Sequence, residues 1–127
     1  MVEPVWIRVD VVLAVHQRQL AEHGGEQGIR DAALLESALA RPRNLLAYGE
    51  GDVDVPRLAA AYAYGLAKNH PFVDGNKRVA WVICRTFLKL NGCDVDAPKQ
   101  ETYTVVMRLA EGRLSEQELA DWIRRRL

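Results

Sequence analysis

Apolar residues recur every three or four positions along most of the chain, a spacing that predicts about six helices. The first helix is expected over about 11–23, with Asp10 as its N-cap and two glycines as its end. Its inward face is expected to carry Val12, Leu13, His16 and Leu20. The second helix is expected over 32–40, between an N-cap at Asp31 and a stop at Pro42.

The middle of the chain carries the two most apolar segments, which are expected to form the centre of the fold. Asp54 and Pro56 mark the start of a third helix, in which 58–68 is apolar on nearly every face. A fourth helix is expected from Asn76 to about Leu90, with one apolar stripe at helical spacing. The stripe comprises Val79, Val82, Ile83, Thr86, Phe87 and Leu90.

Two shorter helices are expected at the C-terminal end. The fifth runs from Pro98 to about Ala110, and the sixth follows the capping-box pair Ser115 and Glu118. The inward residues of the fifth helix are expected to be Tyr103, Val106, Met107 and Ala110. Those of the sixth are expected to be Leu119, Trp122 and Ile123. Each helix would then pack a single apolar stripe against the rest of the fold.

Three short segments do not follow a helical pattern. Residues 5–9 are expected to be a brief strand or an extended lead-in, and 93–95 is a candidate to pair with them. Residues 43–54 are expected to form a hairpin-like flap or an irregular loop. The sequence therefore predicts one all-α domain over 1–127, a compact bundle of about six helices with at most a short β-hairpin flap.

The composition is that of an ordinary globular domain and argues against several functional classes. The 127 residues carry 17 basic and 17 acidic side chains, so no net positive field directs the chain onto nucleic acid. No apolar run is long enough to span a membrane, and the N-terminus lacks the pattern of a signal peptide. Cys84 and Cys93 lack the spacing of a zinc site or a disulfide framework, so reduced cysteines in a cytoplasmic protein are expected.

Three polar features outside the main motif carry weaker signals. Residues 124–126 are all arginine, which favours a solvated helix end, with a contact for an acidic partner as the alternative. His16 and His23 lie seven positions apart without a third ligand, which favours packing or surface roles over a metal site. Three side chains lie in or beside the segment 43–54, and a partner contact and a plain surface role are equally favoured for them: Arg41, Arg43 and Tyr48.

The densest chemistry stands in the nonapeptide His70-Pro71-Phe72-Val73-Asp74-Gly75-Asn76-Lys77-Arg78, between the third and fourth helices. A loop that leads into a helix N-terminus is a ready-made anion site, because the first N–H groups lack intrahelical partners. Gly75 allows close backbone approach, and Asn76 would add a free N–H group. Lys77 and Arg78 place two cations where the helix dipole disfavours them, which indicates that an anion such as phosphate binds there.

Two side chains of the nonapeptide have a chemical interpretation and a plain alternative. His70 suits a general base near neutral pH, since Pro71 forces it out of helical geometry; a C-terminal histidine bonded to carbonyls is the alternative. Asp74 is a single carboxylate beside the expected phosphate site, which is how Mg²⁺ is usually held together with substrate phosphates. Its alternative is to cap the fourth helix. Phe72 is expected to anchor the loop in the core.

The nonapeptide resembles the signature of the Fic/Doc family, HxFx(D/E)(G/A)N(G/K)R, at all seven specified positions. The resemblance extends to residues 28–31 and 34–42, which are similar to the N-terminal half of death-on-curing (Doc) toxins. P-loop, dinucleotide-binding and protein-kinase motifs are absent from the sequence. The resemblance implies a small helical bundle with the motif between two central helices.

The resemblance also implies nucleotide-dependent transfer to a hydroxyl group of a protein. His70 would be the base that deprotonates the target hydroxyl, and Asp74 would hold Mg²⁺. The segment 43–54 would be the flap that aligns the target chain. The anion hole and the contacts to the phosphates of ATP would come from the start of the fourth helix: Gly75, Asn76, Lys77 and Arg78.

Within this resemblance, Lys77 decides which group is transferred. Family members that transfer AMP usually have glycine at this position, whereas Doc-like members have lysine and are thought to bind the nucleotide reversed. The γ-phosphoryl group would then face the target, which implies a protein kinase that modifies elongation factor Tu and arrests translation. The alternatives are AMP transfer to a protein hydroxyl and a non-catalytic partner-binding module.

The family also suggests how the activity is controlled. Self-inhibited Fic proteins carry the motif (S/T)xxxE(G/N). In this sequence the glutamates that precede glycine or asparagine are Glu50 and Glu111, and four positions earlier stand Leu46 and Met107. Neither fits the motif, so the resemblance implies an antitoxin protein that inhibits the toxin in trans.

Overall fold

Six helices form in the part of the chain that the computed structural model describes, residues 3–49 and 51–127. They are α1 (Val9–His23), α2 (Ala32–Tyr48), α3 (Val55–Asn69), α4 (Asn76–Leu90), α5 (Lys99–Ala110) and α6 (Glu116–Arg125). In these described ranges the single β pairing is an isolated antiparallel bridge between Ile29 and Phe72. The predicted all-α fold is confirmed, and so is the number of helices.

Helix α3 is the centre of the fold. It packs against α2, α4, α5 and α6, and residues 58–63 have no exposed surface. Its many alanines let the neighbouring helices approach closely, which agrees with the segment predicted to be apolar on nearly every face. The hydroxyl of Tyr62 accepts a hydrogen bond from the Ile7 N–H at 3.1 Å, and burial raises the pKa of this phenol.

Helix α2 continues through Pro42, so the predicted stop at this residue is wrong. A proline inside a helix leaves the carbonyl four residues earlier, here that of Ala38, without its usual N–H donor. Helix α3 passes this point closely, because a Cβ on Gly65 would lie 3.3 Å from both the Cα and the carbonyl oxygen of Ala38. Pro42 and Ala38 are both buried, so packing of this face of α2 offsets the local cost of the proline.

The longer α2 changes the segment 43–54. Residues 43–48 form the last turns of the helix and leave a short connection of 49–54, in which Glu50 lies outside the described residues. No hairpin forms among the residues described here. The flap interpretation of 43–54 is therefore wrong for its first half.

Replacing Gly65 with valine is expected to lower the free energy of unfolding by about 1–3 kcal/mol, because the added carbons meet helix backbone that cannot move aside. Urea unfolding followed by circular dichroism measures the change. Glu36→Val on the exposed side of α2 is the control, and it adds only the small cost of a β-branched residue in a helix. Equal losses in the two variants would contradict the close contact.

Two other local predictions are wrong. Helix α1 begins at Val9 after Arg8, whose side chain makes no capping bond. Asp10 lies in the first turn, where its carboxylate accepts from the Val11 N–H and pairs with Arg8 at 3.0 Å. Residues 3–8 form no strand and do not pair with 93–95, so the strand alternative is wrong and the lead-in alternative is retained; the Asn91 side chain instead bonds the N–H and C=O of Val5.

The inward face of α5 also differs from the prediction. Val105 and Leu109 are buried, whereas Tyr103 is 62% exposed. Val105 lines a cleft with Leu114 and Trp122, so this side of α5 faces α6. Two overlapping apolar stripes were available on this helix, and its packing against α3 and α4 buries the one that periodicity did not favour.

Short-range signals elsewhere are confirmed. Asp31 caps α2 by accepting from the Leu34 N–H, and Asp54 caps α3 by accepting from the Arg57 N–H. The capping box of Ser115 and Glu118 forms at the start of α6. None of the helices in the described ranges is both long and apolar enough to cross a membrane.

The carboxylate of Asp54 also pairs with Arg124 at 2.8 Å, so the arginine run is not simply solvated. Arg124 lowers the pKa of Asp54. The ion pair therefore stabilises the fold above the carboxyl's ordinary pKa of 3.8, and this stabilisation is lost as pH falls through the lowered pKa.

Asp54→Asn keeps an N-cap and removes the charge of the ion pair. Its loss of stability is expected to be at most about 1 kcal/mol at pH 7, because the pair is partly exposed, and smaller at pH 3. Urea unfolding at both pH values tests this; a loss that grows on acidification would contradict it.

Candidate active site

The nonapeptide 70–78 connects the two central helices, α3 and α4. His70 is the C-cap of α3 and has left-handed backbone angles, φ 47° and ψ 56°. It is the single non-glycine residue in the described ranges with positive φ. The predicted exit from helical geometry before Pro71 is confirmed, although the backbone turns left-handed rather than extended. The His70 side chain is exposed, so it is free to meet a substrate.

The loop is closed from inside by Asn76. Its side-chain oxygen accepts from the Phe72 N–H at 3.0 Å, and its side-chain nitrogen donates to the Phe72 carbonyl at 2.9 Å. Phe72 itself is 1% exposed, which confirms its predicted role as the anchor of the loop. The Asn76 side chain is therefore occupied, and its predicted contribution to an anion hole falls to its backbone N–H group.

His16 of α1 supports the loop from behind. Its ring stacks on Phe72 with centroids 3.9 Å apart, and its Nε2 lies 2.9 Å from the backbone carbonyl oxygen of Asp74. A carbonyl can only accept, so Nε2 carries the proton. His16 is 2% exposed, so the interpretation of His16 as a packing residue is confirmed.

The connection between α1 and α2 lies along the other side of the loop. The N–H groups of Arg30 and Asp31 donate to the Pro71 carbonyl at 2.7 and 3.1 Å, and the Val73 N–H donates to the Gly28 carbonyl at 3.1 Å. The Arg30 guanidinium donates to two more carbonyls of the α3 end. The sequence predicted Asp31 as a helix cap and marked 28–31 by resemblance, but no local pattern indicated that this segment holds the loop.

Asp74 does not cap α4, so that alternative is wrong. Gly75 occupies the N-cap position, and no side chain caps the helix. The Asp74 carboxylate accepts instead from the N–H groups of Gly75 at 2.9 Å and Glu26 at 3.3 Å. A Cβ on Gly25 would lie 2.8 Å from Oδ2 of Asp74, so this close approach requires glycine. The Asp74 carboxylate is thus held in place at the surface, and its remaining lone pairs are available to a further ligand.

A cavity of about 360 Å³ brings the predicted site residues together. Its lining includes all six of them: His70, Asp74, Gly75, Asn76, Lys77 and Arg78. The N–H groups at the start of α4, on residues 76–78, have no backbone or side-chain acceptor in the part of the chain that the structure describes. The cavity thus joins free N–H donors, a helix N-terminus and two cations, which is the arrangement that binds phosphate.

Lys77 and Arg78 also line a second, larger cavity between α4 and α5, of about 590 Å³. The Lys77 ammonium lies 3.5 Å from the sulfur of Met107 on α5. Arg85 at the far side pairs with Asp94 through two bonds, which lowers the pKa of that carboxyl. A smaller cleft on another side of His70 is lined by residues of α3 and of the α5–α6 turn.

Several candidates from the sequence lie outside the 360 Å³ cavity. Arg41 pairs with Glu116 at 2.6 Å, and Arg43 lies over the ring of Trp6. Tyr48 is 84% exposed at the end of α2. The thiol of Cys84 is fully buried, which raises its pKa to about 12, so Cys84 offers no nucleophile. The 360 Å³ cavity is lined by one imidazole, that of His70, which is the candidate base.

The fold and the site together define a class: an all-α protein in which one loop joins an exposed histidine to a helix start with free N–H groups and two cations. A family model described as "Fic/DOC family" matches residues 6–88. The chain belongs to the Fic/DOC family.

Two relatives extend this assignment. "Protein kinase doc" of Escherichia phage P1 is 32% identical over 120 residues, which cover 94% of this chain and 93% of that protein. "Toxin Doc" of Mycolicibacterium smegmatis is 50% identical over 78 residues, which cover 58% of this chain and 57% of that protein. The similarity therefore spans almost the whole of this chain, well beyond the nonapeptide.

Proposed function

We propose that this protein is the toxin of a toxin–antitoxin pair and a protein kinase, which transfers the γ-phosphoryl group of ATP to a Ser or Thr hydroxyl of a target protein. The observation that carries the proposal is the shared cavity, which joins His70 to the cationic start of α4. The names of the two relatives, a toxin and a protein kinase, support it. Lys77, the Doc-like residue of the signature, favours transfer of the γ-phosphoryl group over transfer of AMP.

The proposed reaction needs little covalent chemistry from the protein. His70 accepts the proton of the target hydroxyl as the hydroxyl oxygen attacks the γ-phosphorus. The bond between that phosphorus and the β–γ bridging oxygen breaks, and ADP leaves with the electron pair. Arg78 binds phosphate oxygens, Lys77 adds a point charge, and the free N–H groups of α4 stabilise the charge that develops.

The residues present fit a Mg²⁺ ion that arrives with the nucleotide. Asp74 supplies one exposed carboxylate, and the described residues contain no all-protein cluster that would hold the ion alone. Mg²⁺ is commonly held by one or two carboxylates together with substrate phosphates and water. Asp74 would hold the ion there, and the ion would supply neutralisation of phosphate charge.

The small cleft beside His70 offers the target a route to the base. Its lining includes Tyr64, Lys68 and Glu111, which are separate from the phosphate-binding residues. A hydroxyl that enters from this side would meet His70 without displacing the nucleotide. By family resemblance the target is elongation factor Tu, so the proposed consequence is arrest of translation in the cytoplasm.

Transfer from differently labelled ATP tests the reaction. The protein is incubated with elongation factor Tu and with ATP labelled at either the α or the γ phosphate. Label on the target from the γ position alone supports the kinase, whereas label from the α position alone would establish AMP transfer, the second candidate. Mass spectrometry of the target gives the mass of the added group and the modified residue.

Expression in cells tests the toxin assignment and the partner. Growth should stop when the protein is expressed alone and recover when the neighbouring gene, the candidate antitoxin, is expressed with it. Normal growth with the protein alone at good soluble yield would count against the toxin. An antitoxin partner is expected because neither Glu50 nor Glu111, the glutamates that precede glycine, fits the self-inhibition motif.

A further inference from the structure

The left-handed backbone of His70 needs support from its surroundings. Residues other than glycine adopt these angles in only a few per cent of cases, histidine more often than most, and a following proline crowds the residue further. Nothing in the local sequence from Asn69 to Pro71 provides such support, since there is no glycine in it. A residue held in this way in an active site depends on contacts made from elsewhere in the fold.

The guanidinium of Arg30 makes those contacts. Its Nε donates to the carbonyl of His70 at 2.7 Å, and one terminal nitrogen donates to the carbonyl of Asn69 at 2.8 Å. These carbonyls belong to the two peptide planes that meet at the Cα of His70, so φ and ψ of His70 set their relative orientation. A rigid planar fork bonded to both carbonyls therefore restricts both angles.

Arg30 is itself fixed to the loop. Its backbone N–H and that of Asp31 donate to the Pro71 carbonyl, so residues 30–31 bind three consecutive carbonyls, 69 to 71. The neighbouring Ile29 forms the isolated bridge with Phe72. No ion pair of Arg30 occurs within residues 3–49 and 51–127; the side-chain donors described above are bonded to backbone carbonyls.

We propose that Arg30 is a positioning residue, which directs the His70 imidazole towards the phosphate cavity. The inference rests on the proposed function, because it takes His70 to be the base. Without the fork, His70 is free to leave its left-handed angles, and the imidazole then samples directions away from the target hydroxyl. A misplacement of about 1 Å can cost a factor of about 100 in rate. Nucleotide binding is unaffected, because its contacts come from α4.

The test compares Arg30→Met and Arg30→Lys with the wild-type chain. For Arg30→Met, kcat for transfer is expected to fall at least tenfold, while KM for ATP stays within about twofold. Arg30→Lys is expected to recover part of kcat, because an ammonium can reach one of the two carbonyls. Wild-type kcat in Arg30→Met would overturn the proposal, and so would a rise in KM that accounts for the whole loss.

A matched variant separates positioning from stability. Ser115→Ala removes the cap of α6 at a residue that lines neither cavity beside His70, and it is expected to lower Tm by about 2–6 °C. Its kcat below the transition is expected to remain that of the wild type. If Ser115→Ala loses as much kcat as Arg30→Met at the same loss of Tm, the effect is one of stability and the proposal fails.

A spectroscopic measurement keeps the proposal independent of the reaction. The ¹H–¹³C signals of the His70 imidazole are expected to shift or broaden in Arg30→Met and to stay unchanged in Ser115→Ala. Unmoved signals in Arg30→Met would overturn the proposal. If the wild-type protein transfers no group, the proposed function fails, and these spectra still decide whether Arg30 positions His70.

Discussion

Replacing His70 with alanine is expected to reduce transfer to the target protein by about 10²–10⁴-fold, the usual contribution of a positioned general base. The exposed imidazole makes no contact that the fold requires, so Tm is expected to stay close to that of the wild type. Affinity for ATP is expected to be retained, because the cations and free N–H groups of α4 remain. Steady-state transfer kinetics, thermal unfolding and nucleotide titration measure the three quantities.

The same variant distinguishes the catalytic proposal from a non-catalytic module. His23→Ala on the exposed end of α1 is the matched control, since it removes an imidazole that lies outside the 360 Å³ cavity. Toxicity in cells should disappear with His70→Ala and persist with His23→Ala. Full toxicity of a stable His70→Ala protein would mean that binding alone arrests growth, and it would remove His70 from the mechanism.

Replacing Asn76 with alanine is expected to cost about 2–4 kcal/mol of folding free energy, because two buried backbone groups of Phe72 lose their partners together. The loop loses its internal closure at the same time, so transfer is expected to fall even below the unfolding transition. Urea unfolding gives the free energy of unfolding, and transfer assays at low temperature give the activity of the folded fraction.

Asn91 provides a control of the same chemistry. Its amide also bonds both backbone groups of one residue, Val5, but at a surface where water can replace it. Asn91→Ala is therefore expected to cost less stability and to leave kcat unchanged. If the two variants lose equal stability and neither loses activity, the Asn76 side chain has no special role in the loop.

The parts of this fold that the sequence predicted depend on neighbours in the chain. The caps at Asp31 and Asp54 and the start of α4 at Asn76 follow from interactions across three or four residues. The six residues of the candidate site come from one nonapeptide, so their proximity in the cavity required no knowledge of the fold.

What the sequence did not predict depends on contacts between distant segments. Pro42 stays inside α2 because Ala38 packs against Gly65, 27 positions further along the chain. The inward face of α5 depends on its packing against α3 and α4, and the hydrogen bond from Arg30 to the His70 carbonyl joins residues 40 positions apart. Asn76 was predicted to offer its backbone N–H group to an anion, and the sequence did not indicate that its side chain bonds back to Phe72. Periodicity and capping signals contain none of this information.

The packing of α3 against a later helix has a consequence for biosynthesis. His70 is held by Arg30 of the α1–α2 connection, while the helix that it caps packs against α6, which follows the nonapeptide along the chain. During synthesis the nonapeptide therefore leaves the ribosome before α6 does. The candidate site acquires its full support only after α6 has been made and packed against α3.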